Sequence, residues 1–176
     1  MRARLVAVLA PPRRGSHHHA MKNYLDALAE QLAALPAPAS GSVGEGLASG
    51  ELDEHLRALL ESTPGWHWQV STMPTADQLQ ALGRFGAALT ISCLHSGNDA
   101  MVARIRDLHS PVVWLIEPSA VTAQRARALG FSVLHSPEDT EDRWLFGHDI
   151  ASYKATPDWL NAKHWANPEQ WGQNRW

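Results

Sequence analysis

The stretch that most constrains this chain is residues 87–94, AALTISCL, a near-continuous apolar run with a β-branched pair inside it. A strand with one wet face alternates polar and apolar side chains; a run without alternation marks a strand buried on both faces. A helix follows, capped by Ser96 or Asn98 and burying Met101, Val102, Ile105 and Leu108 at helical spacing. Residues 111–116, PVVWLI, form a second buried strand, and Ser119 caps a further helix over 121–129 that Gly130 ends. Strand, helix, strand and helix of these lengths predict right-handed βαβ crossovers on a parallel sheet. Residues 131–134 and 143–150 read as two strands on either side of a polar, acidic turn, so the sheet ends in an antiparallel edge. The fold class is therefore α/β, mostly parallel and Rossmann-like.

Upstream, Met21, Tyr24, Leu25, Leu28, Leu32 and Leu35 share one face of a helix that Pro36 stops. Residues 36–50, PAPASGSVGEGLASG, read as a loop on their glycine and proline content. A second helix is expected over 51–60 with Ser49 as its cap. Residues 66–70 (WHWQV) alternate as a half-buried strand does. Thr75 and Gln78 form a capping box for a short helix closed by Gly83.

The chain has 176 residues and a net charge of −3, which suits one α/β domain and supplies no basic field for nucleic acid. No apolar run reaches the roughly 20 residues of a membrane span, so a cytoplasmic protein without membrane partners is expected. Residues 1–20 read as a disordered or tag-like extension: the apolar part is too short for a secretory signal, and His17, His18 and His19 cannot all face one ion from regular structure. No metal site is expected. The single cysteine, Cys93, sits in the apolar run and reads as core rather than nucleophile. No nucleophile–base pair or phosphate loop is legible, and the catalytic residues stay unknown.

Ligands of open parallel sheets bind beyond the carboxyl ends of the strands. Those ends place His95, Ser96, Gly97 and Asn98 after the first buried strand, and Glu117, Pro118 and Ser119 after the second. His95, Asn98 and Glu117 are the candidate binding residues; the competing reading makes Ser96, Asn98 and Ser119 plain helix caps and leaves His95 and Glu117 solvated at the rim. Gly44 and Gly46 are the candidate glycine turn for a cofactor, against the reading of a flexible surface connection.

The chain closes on DIASYKATPDWLNAKHWANPEQWGQNRW. Thr156-Pro157-Asp158 and Asn167-Pro168-Glu169 are helix starts, so two short helices carry Trp159, Trp165 and Trp171. The expected arrangement is a domain over 21–150 with a tryptophan-rich segment, 151–176, packed on it. Part of that tail (Trp159, Trp165, Trp171, Trp176) is a candidate protein interface. An aromatic platform for nucleic acid is disfavoured, since Lys154, Lys163 and Arg175 are matched by Asp149, Asp158 and Glu169.

The spacing Y-K-x-x-P-D-W-L-N-x-x-W-A-N-P-x-x-W-x-x-x-W, carried by Tyr153, Lys154, Pro157, Asp158, Trp159, Leu160, Asn161, Trp165, Ala166, Asn167, Pro168, Trp171 and Trp176, resembles the closing signature of a family of small bacterial proteins known as a domain of unknown function. Residues 84–117 resemble that family's central strand–helix–strand, which in turn is similar to the second half of a class I, S-adenosylmethionine-dependent methyltransferase fold. The chain departs from that pattern at Arg84-Phe85-Gly86, where glycine stands in place of the usual acid, and after residues 66–70, where no acid is placed to hold a ribose. The resemblance therefore implies a methyltransferase-like domain that acts by binding a small molecule or a protein, with no cofactor. The alternative is a divergent enzyme that binds S-adenosylmethionine through Gly44, Gly46, His95, Asn98 and Glu117.

Overall fold

Two apolar runs become the centre of the sheet. In the computed structural model, which describes residues 23–153, strands β3 (Ala87–Ile91) and β4 (Val112–Glu117) lie side by side, and every residue of β3 is buried. The elements run α1 (Tyr24–Ala33), β1 (Gly44–Ser49), α2 (Glu54–Glu61), β2 (Trp66–Ser71), α3 (Ala76–Leu82), β3, α4 (Asp99–Arg104) extended by a π-helical turn (Ile105–His109), β4, α5 (Ala120–Ala128), β5 (Ser132–His135), β6 (Trp144–Asp149) and α6 (Ile150–Tyr153). The strand order is β2-β1-β3-β4-β6-β5. The pairs β1–β2, β1–β3 and β3–β4 are parallel, while β6 runs antiparallel to both β4 and β5. This is the expected mostly parallel sheet with an antiparallel edge.

Each face of the sheet carries its own core. On one face Leu47, Ala88, Val113 and Phe146 pack with Leu79, Val102, Ile105 and Ala123 from α3, α4, its π-helical extension and α5. On the other, Ala48, Leu89, Trp114 and Leu145 pack with Leu28 and Leu32 of α1 and Leu56 and Leu60 of α2. Of the helix starts read from the sequence, the Thr75 capping box forms as expected, while the first helix begins at Tyr24, three residues after Met21. Asn23 and Asp26 form a reciprocal capping box on α1, and Thr75 with Gln78 does the same on α3.

The main correction is at residues 36–50. The carboxyl half of that segment is a strand, β1, held between β2 and β3 in the sheet interior. Its glycines are packing devices: a Cβ on Gly44 would lie 2.6 Å from Trp66 Cδ2, and one on Gly46 would lie 2.5 Å from Trp68 Cε3. The two indoles lie stacked, with centroids 6.1 Å apart. Ser49 therefore ends a strand and does not cap α2; that role falls to Asp53, whose side chain accepts the Leu56 N–H at 2.8 Å. The first buried strand also stops at Ile91, three residues short of the apolar run, and β6 ends at Asp149.

The expected extension over 1–20, with its histidine run, lies outside the described residues, and so does nearly all of the tryptophan-rich segment expected over 151–176. Among the described residues no helix is long and apolar enough to cross a membrane.

Candidate functional site at the carboxyl edge of the sheet

From β1 the chain moves outward to β2 and then returns to β3 on the other side of β1. Strand order thus reverses between β1 and β3, the place where an open α/β sheet leaves a crevice. A cleft of about 320 Å³ opens there, lined by Glu51, Ile91, Ser92, Ser96 and Arg143. Glu51 follows β1, Ile91 ends β3, Ser92 and Ser96 follow it, and Arg143 precedes the antiparallel β6.

Gly50 lets the end of β1 come close to the end of β3. Its φ is +111°, and a Cβ would sit 2.5 Å from the Ile91 carbonyl oxygen. Ser92 is the described non-glycine residue with positive φ, at 55°. Left-handed backbone of this kind costs an L-residue about 1–2 kcal/mol. The turn is held all the same: Ser92 N–H donates to Ile116 O at 2.8 Å, and Ser96 N–H to Ser92 O at 3.1 Å.

Beneath the turn lies a charged clamp. Glu117 is fully buried, and its two carboxylate oxygens accept the Leu94 and His95 N–H groups at 2.8 and 3.1 Å. Burial pushes its carboxyl above the ordinary range, against the pull of those N–H groups, His95 and Arg125. Arg125 donates Nη1–H to Leu94 O at 2.7 Å and Nε–H to Asp99 Oδ2 at 2.9 Å, tying α5 to the same loop.

The third wall is fixed from α1. Asp142 Oδ1 accepts the Tyr24 and Arg143 N–H groups at 3.1 and 2.8 Å, and Asp142 Oδ2 lies 2.5 Å from His135 Nε2. Burial raises the Asp142 carboxyl but is outweighed by these contacts, which hold it below its usual value. The Arg143 guanidinium lies 6.0 Å from the Tyr24 ring centroid. Glu51 and Arg143 therefore bring opposite charges to a cleft that Ser92 and Ser96 also line.

His95 and Glu117 meet at this edge through the His95 N–H, Asn98 lies at the start of α4, none of the three lines the cleft, and Gly44 and Gly46 sit at the far end of β1. Glu117 is not solvated at the rim: it is buried and holds the loop. His95 is exposed, and Asn98 is half-buried with no side-chain capping bond, as is true of Ser119 at α5. The cleft residues Glu51, Ser92 and Arg143, with Gly50, were not singled out from the sequence. Gly50-Glu51 was findable, because a glycine after the apolar Leu47-Ala48 pair marks the end of a strand. Cys93 is core, as expected, with burial pushing its thiol up to about 11. Among the described residues no group of His, Cys, Asp and Glu is arranged to hold a metal ion.

Among solved structures, a human methyltransferase 10 domain containing protein is similar over 70% of this chain and 79% of its own, at 9% identity and a TM-score of 0.44. The protein-(glutamine-N5) methyltransferase, release factor-specific, of Alicyclobacillus acidocaldarius is similar over 69% and 88%, at 13% identity and 0.43. The magnesium protoporphyrin IX methyltransferase of Synechocystis, solved with bound SAH, covers 70% and 80%, at 11% identity and 0.43. Curated proteins gave no match. The match to a family model over residues 16–176 settles the relationship: the chain belongs to DUF6231, a family of unknown function.

Proposed function

We propose that this protein is a small-molecule-binding α/β domain that acts by binding rather than by catalysis, its ligand seated in the cleft at the β1/β3 switch point. The observation that carries the reading is that Glu51 and Arg143 both line one 320 Å³ cleft. A carboxylate and a guanidinium facing one small volume suit a ligand with a cationic and an anionic group, such as the amino-acid end of a small metabolite. The charged groups around the cleft serve its shape: buried Glu117 and half-buried Arg125 and Asp142 are all engaged in holding backbone.

A second reading, a divergent S-adenosylmethionine-dependent methyltransferase, is favoured by Gly50, which opens the carboxyl end of β1 to close approach. The fit of that cofactor is partial. Glu51 and Arg143 would meet its amino-acid end. The end of β2, however, offers Ser71 and Thr72, and the Thr72 carbonyl already accepts Ser49 Oγ–H at 3.4 Å. A ribose diol would find hydroxyls there in place of a carboxylate.

Calorimetric titration with S-adenosylmethionine, S-adenosylhomocysteine and free amino acids tests both. Binding of one of them tighter than about 100 μM, near −5.5 kcal/mol, and weakened about tenfold by both Glu51→Gln and Arg143→Ala, is the expected result. Absence of heat with every probe overturns the binding reading, and methyl turnover in its presence establishes the second.

A further inference from the structure

The two edges of the sheet are finished differently. β5 has only four residues, and its pairing with β6 slips between Val133 and His135. Short, irregular edges resist pairing with other chains. β2 is the opposite: six residues in unbroken register with β1, reading Trp66-His67-Trp68-Gln69-Val70-Ser71, with no lysine, proline or bulge.

The hydrogen-bonding groups of β2 that have no partner among the described residues can be assigned. Gly44 N–H donates to Gly65 O and Gly50 N–H to Ser71 O, so the odd-numbered residues of β2 face β1. Trp66, Trp68 and Val70 consequently turn their backbone groups outward, and only the Trp66 N–H is drawn inward, to Thr63 O at 3.3 Å. Val70 is 43% exposed. Beside this edge runs a groove of about 330 Å³ whose walls include Leu52, Arg57, Leu60 and Glu61 of the α2 region.

We propose that β2 is a homodimer interface: two copies pair edge to edge, antiparallel, about a two-fold axis at Trp68. The strand's own pattern selects this partner. Antiparallel pairing centred on Trp68 sets Trp66 against Val70 of the copy and Trp68 against Trp68, all outward-bonding positions, while His67 meets Gln69 on the other face. Apolar meets apolar and polar meets polar, as cross-strand stabilisation requires. Such an axis keeps the α2 faces of both copies on one side and runs the helices in opposite directions. Arg57 and Glu61 beside the groove then offer opposite signs across the axis. A second copy thus continues the sheet through the outward carbonyls of Trp66 and Trp68 and the N–H groups of Trp68 and Val70.

The test uses the full chain. Sedimentation velocity is expected to show a dimer at micromolar concentration; a monomer at about 100 μM, weaker than −5.5 kcal/mol, overturns the proposal. Placing cysteines by His67→Cys and Gln69→Cys together locates the interface. In this register each new cysteine opposes the other in the partner, at a Cα separation near 4.5 Å that a disulfide spans. Oxidation should give a covalent dimer from the double variant and none from either single variant. A dimer that fails to cross-link this way has its interface elsewhere and overturns the proposal. Val70→Pro removes one outward N–H per copy, hence two symmetric hydrogen bonds, and should raise the dimer Kd about tenfold with monomer unfolding unchanged.

Discussion

At the amino end of β1, Gly44 and Gly46 lie against the indoles of Trp66 and Trp68, and a Cβ on either would come within 2.6 and 2.5 Å of a ring carbon. At the carboxyl end of the same strand, Gly50 takes a φ of +111°, and its Cβ would meet the Ile91 carbonyl oxygen, not a side chain. Glycine does two jobs within seven residues. At one end it makes room for large aromatic side chains; at the other it lets two strand ends meet and shape a polar cleft. What stands opposite a glycine decides its role, and that is a tertiary fact.

The surroundings differ in the same sense. The amino end is packed with apolar surface, whereas the carboxyl end is held by buried charge, and this makes Glu117 the most sensitive point of the contrast. Glu117→Leu is expected to cost about 3 kcal/mol, since it strands the buried Leu94 N–H and the part-buried His95 N–H, at roughly 1–3 kcal/mol for a fully buried group and less for the second. Thermal unfolding measures it. The pH dependence gives a separate signature. Burial holds the folded carboxyl above its ordinary 4.5, so the folded state binds the proton more tightly than the unfolded one. That contribution is full below 4.5 and is lost as pH rises through the folded value. The variant should lack this decline. Asp142 acts in the opposite direction: its carboxyl is held below 3.8, and its contribution disappears as pH falls through that lower value. An unchanged slope above 4.5 in the Glu117 variant would assign the decline to another group.

The contrast at β1 itself is broken by a pair of substitutions. Gly46→Ala presses on the Trp68 ring and should cost about 2 kcal/mol, as overpacked cores do, while leaving the affinity of the folded cleft intact. Gly50→Ala presses on backbone, in a conformation an alanine adopts poorly, and should cost a similar amount and weaken ligand binding as well. Equal effects of both on binding would show that the two ends of the strand are not separate.

These cases also mark what the sequence could reveal. β3 and β4 were legible because burial on both faces leaves an unbroken apolar run, α1 because its apolar residues recur at helical spacing up to Pro36, and α3 because a reciprocal cap is a local signal. β1 was hidden: Gly44 and Gly46 look like loop residues until the tryptophans of β2 are placed over them. The edge that holds His95, Asn98 and Glu117 was readable from the rule that ligands sit beyond strand ends. The cleft's own residues were not, because Glu51, Ser92 and Arg143 are brought together by a strand order that no local pattern encodes. Glu117 was read as a rim group because its two N–H partners lie more than twenty residues away.

The smallest expected effect is at Ser92, and its sign sets function against stability. A non-glycine residue at φ 55° stores strain of about 1–2 kcal/mol. A glycine in its place would release that strain and return about 0.5–1 kcal/mol as extra freedom in the unfolded chain, so Ser92→Gly should leave the protein as stable as before or more stable by up to about 1.5 kcal/mol. The same change removes the hydroxyl of a residue that lines the cleft with Glu51 and Arg143. If Ser92 is kept in its strained conformation for a ligand, affinity falls several-fold while the melting temperature holds or rises. If the hydroxyl only completes a turn, both measurements stay together, and the carboxyl end of the sheet is then no more specialised than its packed amino end.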